Sequence, residues 1–484
     1  MQQLKLIKTL KTLQKRERSK FKEYIHSPFL NKNKKIQRLG DFLLQFAPQY
    51  EDKKLNKYAA FQYVFGVANF QDLKFNNIVS DLLQLLYDFL AYKEYQEQEQ
   101  LQKRLQMKAL LQREQSEQVH RIGKRLEQIQ NKNSLRNYQF YLDNYHLFDQ
   151  LDQLALTTGT RTYDQNLQLK SDRLDQFYIA NKLRIACDMI SRNTVVNAGY
   201  DCHFLEEIEC FYQNNRSNLQ NEPAIQIYFQ VLQMLRSNSE DSYYKTLIQL
   251  LHEHSIVFPP NELRTIYNYA LNYCVRQINF GKSKFYLEIF ELYKVLLEKK
   301  IIYKNGYLTQ WAYINIIASG IRLKEFEWTE AFIHQYKAHL QPDEQHNVYT
   351  YNLAVLYFEQ ENYDRALEQL LDVEFTDAFF HMAAKIIQLK CYYMLRETEA
   401  FFSLAEASRK YITRNKQLSE YHKKSYSHFT RLASKIYHLT LKSEIALPPS
   451  IEKERSKLQA QLQQLEPIAN KTWLRDALER IPTY

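Results

Sequence analysis

Apolar residues recur every three or four positions along most of this chain, which is the spacing of one face of an α-helix. A clear example is the series Ile78, Leu82, Leu85, Leu86 and Phe89. The 484 residues include only 8 Gly and 10 Pro, so few positions interrupt this pattern. The frequent residues, such as Leu, Gln, Lys and Glu, favour helices over strands. We therefore predict an all-α protein.

The most regular pattern lies between Tyr349 and Val373. It predicts one helix over residues 348–359 and a second that begins at Asn362, whose side chain can accept a hydrogen bond from a free backbone N–H. Only residues 360–361 separate the two helices, and so short a connection makes neighbouring helices antiparallel. The stretch therefore predicts a helical hairpin.

This hairpin resembles a tetratricopeptide repeat (TPR), a helix–turn–helix unit of roughly 34 residues. Leu353, Ala354 and Tyr357 match the signature of the first helix, and Ala366 matches the alanine of the second. The early Trp and the closing Pro of the family are absent. The resemblance implies a right-handed α-solenoid, in which such hairpins stack side by side.

Fainter copies of the hairpin lie on either side of it. Ala331 precedes Ala366 by 35 residues, and Leu389 follows Leu353 by 36 residues. The helices predicted after residue 260 are Glu262–Gln277, Lys284–Lys299, Leu308–Leu323, Trp328–Ala338, Val348–Glu359, Tyr363–Leu371, Ala378–Leu395 and Ala400–Tyr411. One good repeat is thus flanked by degenerate ones.

The pattern divides the chain into four segments. Residues 1–95 are predicted to form a basic N-terminal helical bundle whose first helix runs from Leu4 to Ile25. Residues 96–260 read as irregular helical hairpins, and residues 261–442 as the TPR-like solenoid. Residues 443–484 are predicted to be C-terminal capping helices, because the ends of a solenoid need a polar outer face.

The net charge of +10 belongs to the N-terminal segment. Residues 1–60 carry 15 Lys and Arg against 5 Asp and Glu, and the remaining residues carry 50 of each sign. Dense cations attract the phosphate backbone of nucleic acids. The candidate nucleic-acid residues are Lys5, Lys8, Lys11, Lys15, Arg16, Arg18, Lys32, Lys34, Lys35 and Arg38. The alternatives are a solvated helix face, an acidic protein partner or an N-terminal amphipathic membrane anchor.

Five scattered cysteines without a CxxC pair indicate reduced thiols. The lysine-rich N-terminus does not have the apolar centre of a secretory signal, so we expect a cytoplasmic protein. No apolar run approaches the ~20 residues of a membrane-spanning helix.

No established catalytic, cofactor or metal motif can be built from the sequence. Gly281-Lys282-Ser283 resembles the end of a phosphate-binding loop, but Arg276 stands where that motif needs another glycine. Cys202 and His203 are adjacent, whereas structural zinc sites use spaced pairs of ligands. We expect a protein that is not an enzyme and has no cofactor or small-molecule substrate.

The first helix of the good repeat is apolar on nearly all sides, so both of its faces need cover. In a TPR-like stack the side through Tyr351, Val355 and Phe358 lines the inner wall, covered by other parts of the chain or by a partner. Some peptide-binding TPR proteins hold a ligand backbone with asparagines on this helix, which adds Asn352, and Glu359 closes the row. We therefore predict a scaffold or adaptor that binds a protein or peptide segment there. The alternative is a nucleic-acid-binding or regulatory protein that uses the basic N-terminal segment.

Overall fold

The computed structural model describes residues 1–66, 69–159, 163–193, 199–237, 240–371, 378–415, 418–444 and 448–482. Throughout these ranges the chain folds into α-helices and short turns, without a β-strand. The predicted all-α class is therefore confirmed. Residues 372–373 of the central stretch lie outside the described ranges, as do 445–447 and 483–484 of the predicted capping segment.

Besides two 3₁₀-helices at Ser255–Val257 and Lys337–His339, the described residues form 24 α-helices, numbered here in chain order. They are α1 (Lys5–Thr12), α2 (Lys15–His26), α3 (Lys34–Leu44), α4 (Lys57–Phe65), α5 (Asp72–Glu97), α6 (Glu99–Leu111), α7 (Ser116–Lys132), α8 (Tyr138–Thr157), α9 (Gln165–Asn193), α10 (Leu205–Asn214), α11 (Arg216–Leu219), α12 (Pro223–Arg236), α13 (Asp241–His254), α14 (Pro260–Asn279), α15 (Phe285–Glu298), α16 (Gln310–Arg322), α17 (Phe326–Tyr336), α18 (Gln345–Glu359), α19 (Tyr363–Leu371), α20 (Ala378–Met394), α21 (Thr398–Arg414), α22 (Glu420–Ser443), α23 (Pro448–Gln464) and α24 (Lys471–Glu479). Within the described ranges, none of them has the length and apolar character that crossing a membrane requires.

The chain divides into two units, Met1–Lys182 and Leu183–Tyr484. In the first unit, α2 and α3 pack on α5, and α3 also packs on α4. Their apolar faces form one core, which includes Leu6, Phe21, Leu39, Phe61 and Phe75. Helices α6, α7 and α8 pack on one another around a second core. Helices α1 to α5 thus surround the first of these two cores.

The predicted first helix, Leu4–Ile25, is wrong in one respect: the structure has two helices there, α1 and α2. The backbone is extended at Leu13 and Gln14, which separate them. Glu17 stabilises the start of α2, because its Oε2 accepts a hydrogen bond of 2.6 Å from the backbone N–H of Gln14. This is half of a capping box, an arrangement that begins a helix.

In the second unit, neighbouring helices pack in pairs along the chain. Pairs such as α12 with α13, α14 with α15 and α18 with α19 are in contact. A helix also contacts the next but one along the chain in several places. Examples are α12 with α14, α16 with α18, α18 with α20, α20 with α22, and α22 with α24. The eight helices predicted between Glu262 and Tyr411 correspond one to one with α14 to α21.

The central hairpin forms as the sequence predicts. Helices α18 and α19 are joined by a tight turn in which Glu361 has a φ of 61°. Asn362 caps α19, and its Oδ1 accepts a hydrogen bond of 3.4 Å from the backbone N–H of Arg365. Ala354 and Ala366 are both completely buried, because small side chains let two helix backbones approach.

Candidate functional site

The predicted partner-binding residues lie along one side of α18. Tyr351, Val355 and Phe358 are four and three positions apart, so they share a helix face. All three are half-buried. We call this row of three side chains the α18 face.

Tyr351 lies at one end of the α18 face, against α20. Its ring meets the ring of Phe380 edge-on, with 5.6 Å between the ring centroids. Burial, aided by the nearby Tyr426, raises the pKa of the Tyr351 hydroxyl to about 12. Tyr351 is therefore neutral at physiological pH, and the chain's own helices cover part of it.

Phe358 lies at the other end of the α18 face and is also partly covered. Its ring packs 5.5 Å from the ring of Tyr363, measured between centroids. On another side the Nζ of Lys390 lies 5.0 Å from the centroid of the Phe358 ring. The same Nζ lies 5.7 Å from the ring of Trp473 on α24. Helix α24 thus helps to enclose this end of the face.

Lys390 is a buried residue beside the α18 face that sequence reasoning missed. Its side chain is buried, with 8% of its surface exposed. Burial lowers the pKa of the Lys390 amine to about 8, although Glu359 and Cys391 act in the opposite direction. One signal was present in the sequence: Lys390 follows Ala354 by 36 residues, which places a lysine where the good repeat has its small residue.

Asn352 and Glu359 occupy different surroundings from the α18 face. Asn352 is buried, and its Nδ2 donates a hydrogen bond of 2.7 Å to the carbonyl oxygen of Val348. Its amide nitrogen is thus engaged within its own helix, which leaves it badly placed to hold a ligand backbone. Glu359 is exposed at the end of α18.

The basic residues proposed for nucleic acid lie in the first unit, and nearly all are exposed. Lys11 pairs with Glu51 at 3.5 Å. Arg18 is half-buried and its Nη1 donates to the carbonyl oxygen of Leu13 at 2.7 Å. The others form no ion pair with a described carboxylate; they are Lys5, Lys8, Lys15, Arg16, Lys32, Lys34, Lys35 and Arg38. Their charge is therefore available to an anionic partner.

Lys282, in the loop that resembled a phosphate-binding one, has a partner within the protein. Lys282 Nζ lies 2.9 Å from Oδ1 of Asp241, so an ion pair within the protein occupies the loop that resembled a phosphate-binding one. Burial raises the pKa of both Cys274 and Cys391 to about 12, which keeps these thiols protonated. Across the described ranges, no three His, Cys, Asp or Glu side chains gather as a metal site would require.

Comparison of the chain with models of protein families, with curated proteins and with solved structures gives no match.

Proposed function

We propose that the second unit is a non-catalytic interaction module, built as a right-handed TPR-like solenoid, that binds a segment of a partner protein on the α18 face. The observation that carries the proposal is the row of Tyr351, Val355 and Phe358. These three apolar side chains are adjacent on one helix and each is only half-buried. A partner that covered the row would remove more apolar surface from water, which favours association.

The packing of the helices supports a solenoid. In a stack of helical hairpins, the first helix of each hairpin touches its partner helix and also the first helix of the next hairpin. Helix α18 contacts α19 as its partner, and α16 and α20 on either side. Helix α22 likewise contacts α20 and α24.

The position of Val355 indicates which kind of partner side chain would fit the α18 face. It is aliphatic and lies between two aromatic residues whose outer edges are occupied by Phe380 and by Lys390. The open part of the face is therefore small and apolar at its centre. We propose that a partner inserts an apolar side chain beside Val355, while Asn352 takes no direct part.

Affinity purification of the full chain, followed by mass spectrometry, tests the proposal when two variants are compared. Val355→Glu places a charge at the centre of the α18 face. Val275→Glu is the matched control, because Val275 is a 48% exposed valine on α14 of the same unit. Circular dichroism and thermal unfolding establish that both variants fold.

A partner that is recovered with the wild type and Val275→Glu, but is lost with Val355→Glu, supports the proposal. If folded Val355→Glu keeps every partner of the wild type, the α18 face is not the binding site.

A further inference from the structure

Three consecutive apolar residues are exposed in the turn between α2 and α3. They are Pro28, Phe29 and Leu30. Phe29 has 92% of its surface exposed and Leu30 has 42%. Single exposed apolar residues are common on protein surfaces, but a contiguous group that includes a bare aromatic ring is typical of a contact site. We call these three residues the apolar tip.

Hydrogen bonds of the Asn31 side chain hold the turn that carries the apolar tip. The Asn31 side chain is buried, and its Nδ2 donates a hydrogen bond of 2.9 Å to the carbonyl oxygen of Ile25. Its Oδ1 accepts another of 2.9 Å from the backbone N–H of Asn33. Gln37, also buried, donates from Nε2 to the carbonyl oxygen of Asn31 at 3.3 Å. These bonds hold the turn in a conformation in which Phe29 and Leu30 are exposed to solvent.

Cations lie on both sides of the apolar tip in the sequence. Lys22 precedes it, and Lys32, Lys34 and Lys35 follow it, all of them exposed. We call these four residues the lysine collar. Lys22 has a carboxylate partner, Asp41, at 3.7 Å. The other three have none among the described residues.

The positions of Lys34 and Lys35 do not favour the stability of α3. Both lie in its first turn, which contains no acidic residue. The amino-terminal end of a helix carries partial positive charge, so cations there are repelled. An anionic surface that docks against this end would relieve the repulsion.

We propose that the apolar tip and the lysine collar dock the protein on an anionic lipid bilayer. Phe29 and Leu30 enter the interfacial layer of the membrane, and the collar contacts the lipid headgroups. Apolar insertion and basic residues bind such surfaces together, whereas either one alone gives weak, reversible association. This inference concerns the first unit and does not depend on the function proposed for the second.

The shape of the site favours lipid over nucleic acid. Proteins that bind single strands stack the bases on aromatic rings along a basic groove. Two members of the apolar tip, Pro28 and Leu30, have no aromatic ring on which a base could stack. Phe29 projects almost fully into solvent instead of lining a groove.

Co-sedimentation of the full chain with vesicles tests the proposal. Vesicles of phosphatidylcholine with phosphatidylserine are compared with vesicles of phosphatidylcholine alone, at low and at moderate salt. We expect binding only to the anionic vesicles, and weaker binding as salt screens the charges. We expect Phe29→Ser to reduce binding about tenfold, and Lys34→Glu with Lys35→Glu to abolish it.

Leu73→Ser is the matched control, because Leu73 is 75% exposed in the same unit but lies outside the apolar tip and the lysine collar. A further readout is Phe29→Trp, whose added fluorescence should be quenched by brominated lipids on binding. Absence of binding to anionic vesicles by the wild type overturns the proposal. So does a Phe29→Ser variant that binds as the wild type does, or a single-stranded oligonucleotide that binds in a Phe29-dependent way while vesicles do not.

Discussion

The ammonium group of Lys390 lies 5.0 Å from the centre of the Phe358 ring, in the interior of the second unit. The ring of Trp473 lies 5.7 Å from the same nitrogen. An aromatic face attracts a cation by about 1 to 2 kcal/mol, which is less than a water shell provides for a buried charge. The lowered pKa of Lys390, about 8, is the result of this imbalance.

Replacing Lys390 with Met should stabilise the protein at neutral pH. Burial lowers the pKa of this lysine from 10.5 to about 8 in the folded chain, so the unfolded chain binds more protons between these two values. The free energy of unfolding of the wild type must therefore rise with pH from about 8 to about 10.5. We expect the free energy of unfolding of Lys390→Met to exceed that of the wild type by about 2 kcal/mol at pH 7. This difference between the two proteins should shrink as pH rises.

Urea unfolding of both proteins at pH 7 and pH 9 measures this effect. Lys294→Met is the control, because the Lys294 Nζ also lies over an aromatic ring, 4.5 Å from the centroid of Phe290, but Lys294 is only half-buried and is paired with Glu291. That variant should change little at either pH. A Lys390→Met protein less stable than the wild type at pH 7 would show that the aromatic contacts outweigh the cost of burial.

Removing the hydroxyl of Tyr228 should weaken the contact between α12 and α14. The Tyr228 hydroxyl donates a hydrogen bond of 2.7 Å to Oε1 of Glu262. A hydrogen bond to a charged group contributes about 1.5 to 3 kcal/mol, so Tyr228→Phe should lower the free energy of unfolding by about that amount. The control is Tyr267→Phe in α14, a buried tyrosine whose hydroxyl has no such carboxylate bond. Equal losses in the two variants would contradict the assignment.

A methyl group at Gly320 should force α16 and α17 apart. A Cβ there would lie 2.2 Å from Oγ1 of Thr329, closer than any van der Waals contact allows. We expect Gly320→Ala to destabilise the fold by about 1 to 3 kcal/mol. Adding Thr329→Ala removes the clashing oxygen. The double variant should therefore lose less free energy of unfolding than the sum of the losses in the two single variants. Thermal unfolding of all three variants decides this, and strict additivity would count against a direct clash.

Loss of the Asp241 charge should destabilise the second unit except in acid. Burial alone would raise the pKa of this carboxyl, but hydrogen bonds from Lys284 and Lys282 outweigh it and lower the pKa to about 2. The stabilisation is therefore complete above pH 3.8, the ordinary value, and is lost as pH falls towards 2. We expect Asp241→Asn to cost about 1 to 2 kcal/mol at pH 7 and progressively less below pH 4. A cost that is constant with pH would point to packing instead of charge.

Local signals made the hairpin of α18 and α19 predictable. The apolar period, the cap at Asn362 and the short turn all lie within the same few residues, and each favours the same structure. The break between α1 and α2 was not predictable in the same way. The apolar spacing of Leu6, Leu10 and Leu13 runs smoothly into it, and neither glycine nor proline marks Gln14.

The surroundings of the α18 face depended on packing between distant parts of the chain. Period and composition identify Tyr351, Val355 and Phe358 as apolar residues of one face. They do not reveal that Trp473, more than a hundred residues further on, lies beside Lys390 at its edge. The surroundings of Asn352 were equally unpredictable. The sequence does not distinguish an exposed asparagine from one whose side chain donates a hydrogen bond to the carbonyl oxygen of Val348.

The pairwise packing of helices in the second unit also bears on how the chain gains its structure during synthesis. Since most helices there contact those next to them in the sequence, a hairpin has its partner available as soon as it leaves the ribosome. Contacts between residues close in sequence need little chain to be brought together, and they form quickly. The α18 and α19 hairpin can therefore pack on α16 before α24 has been made, whereas the enclosure of Lys390 by Trp473 must wait until α24 has been translated.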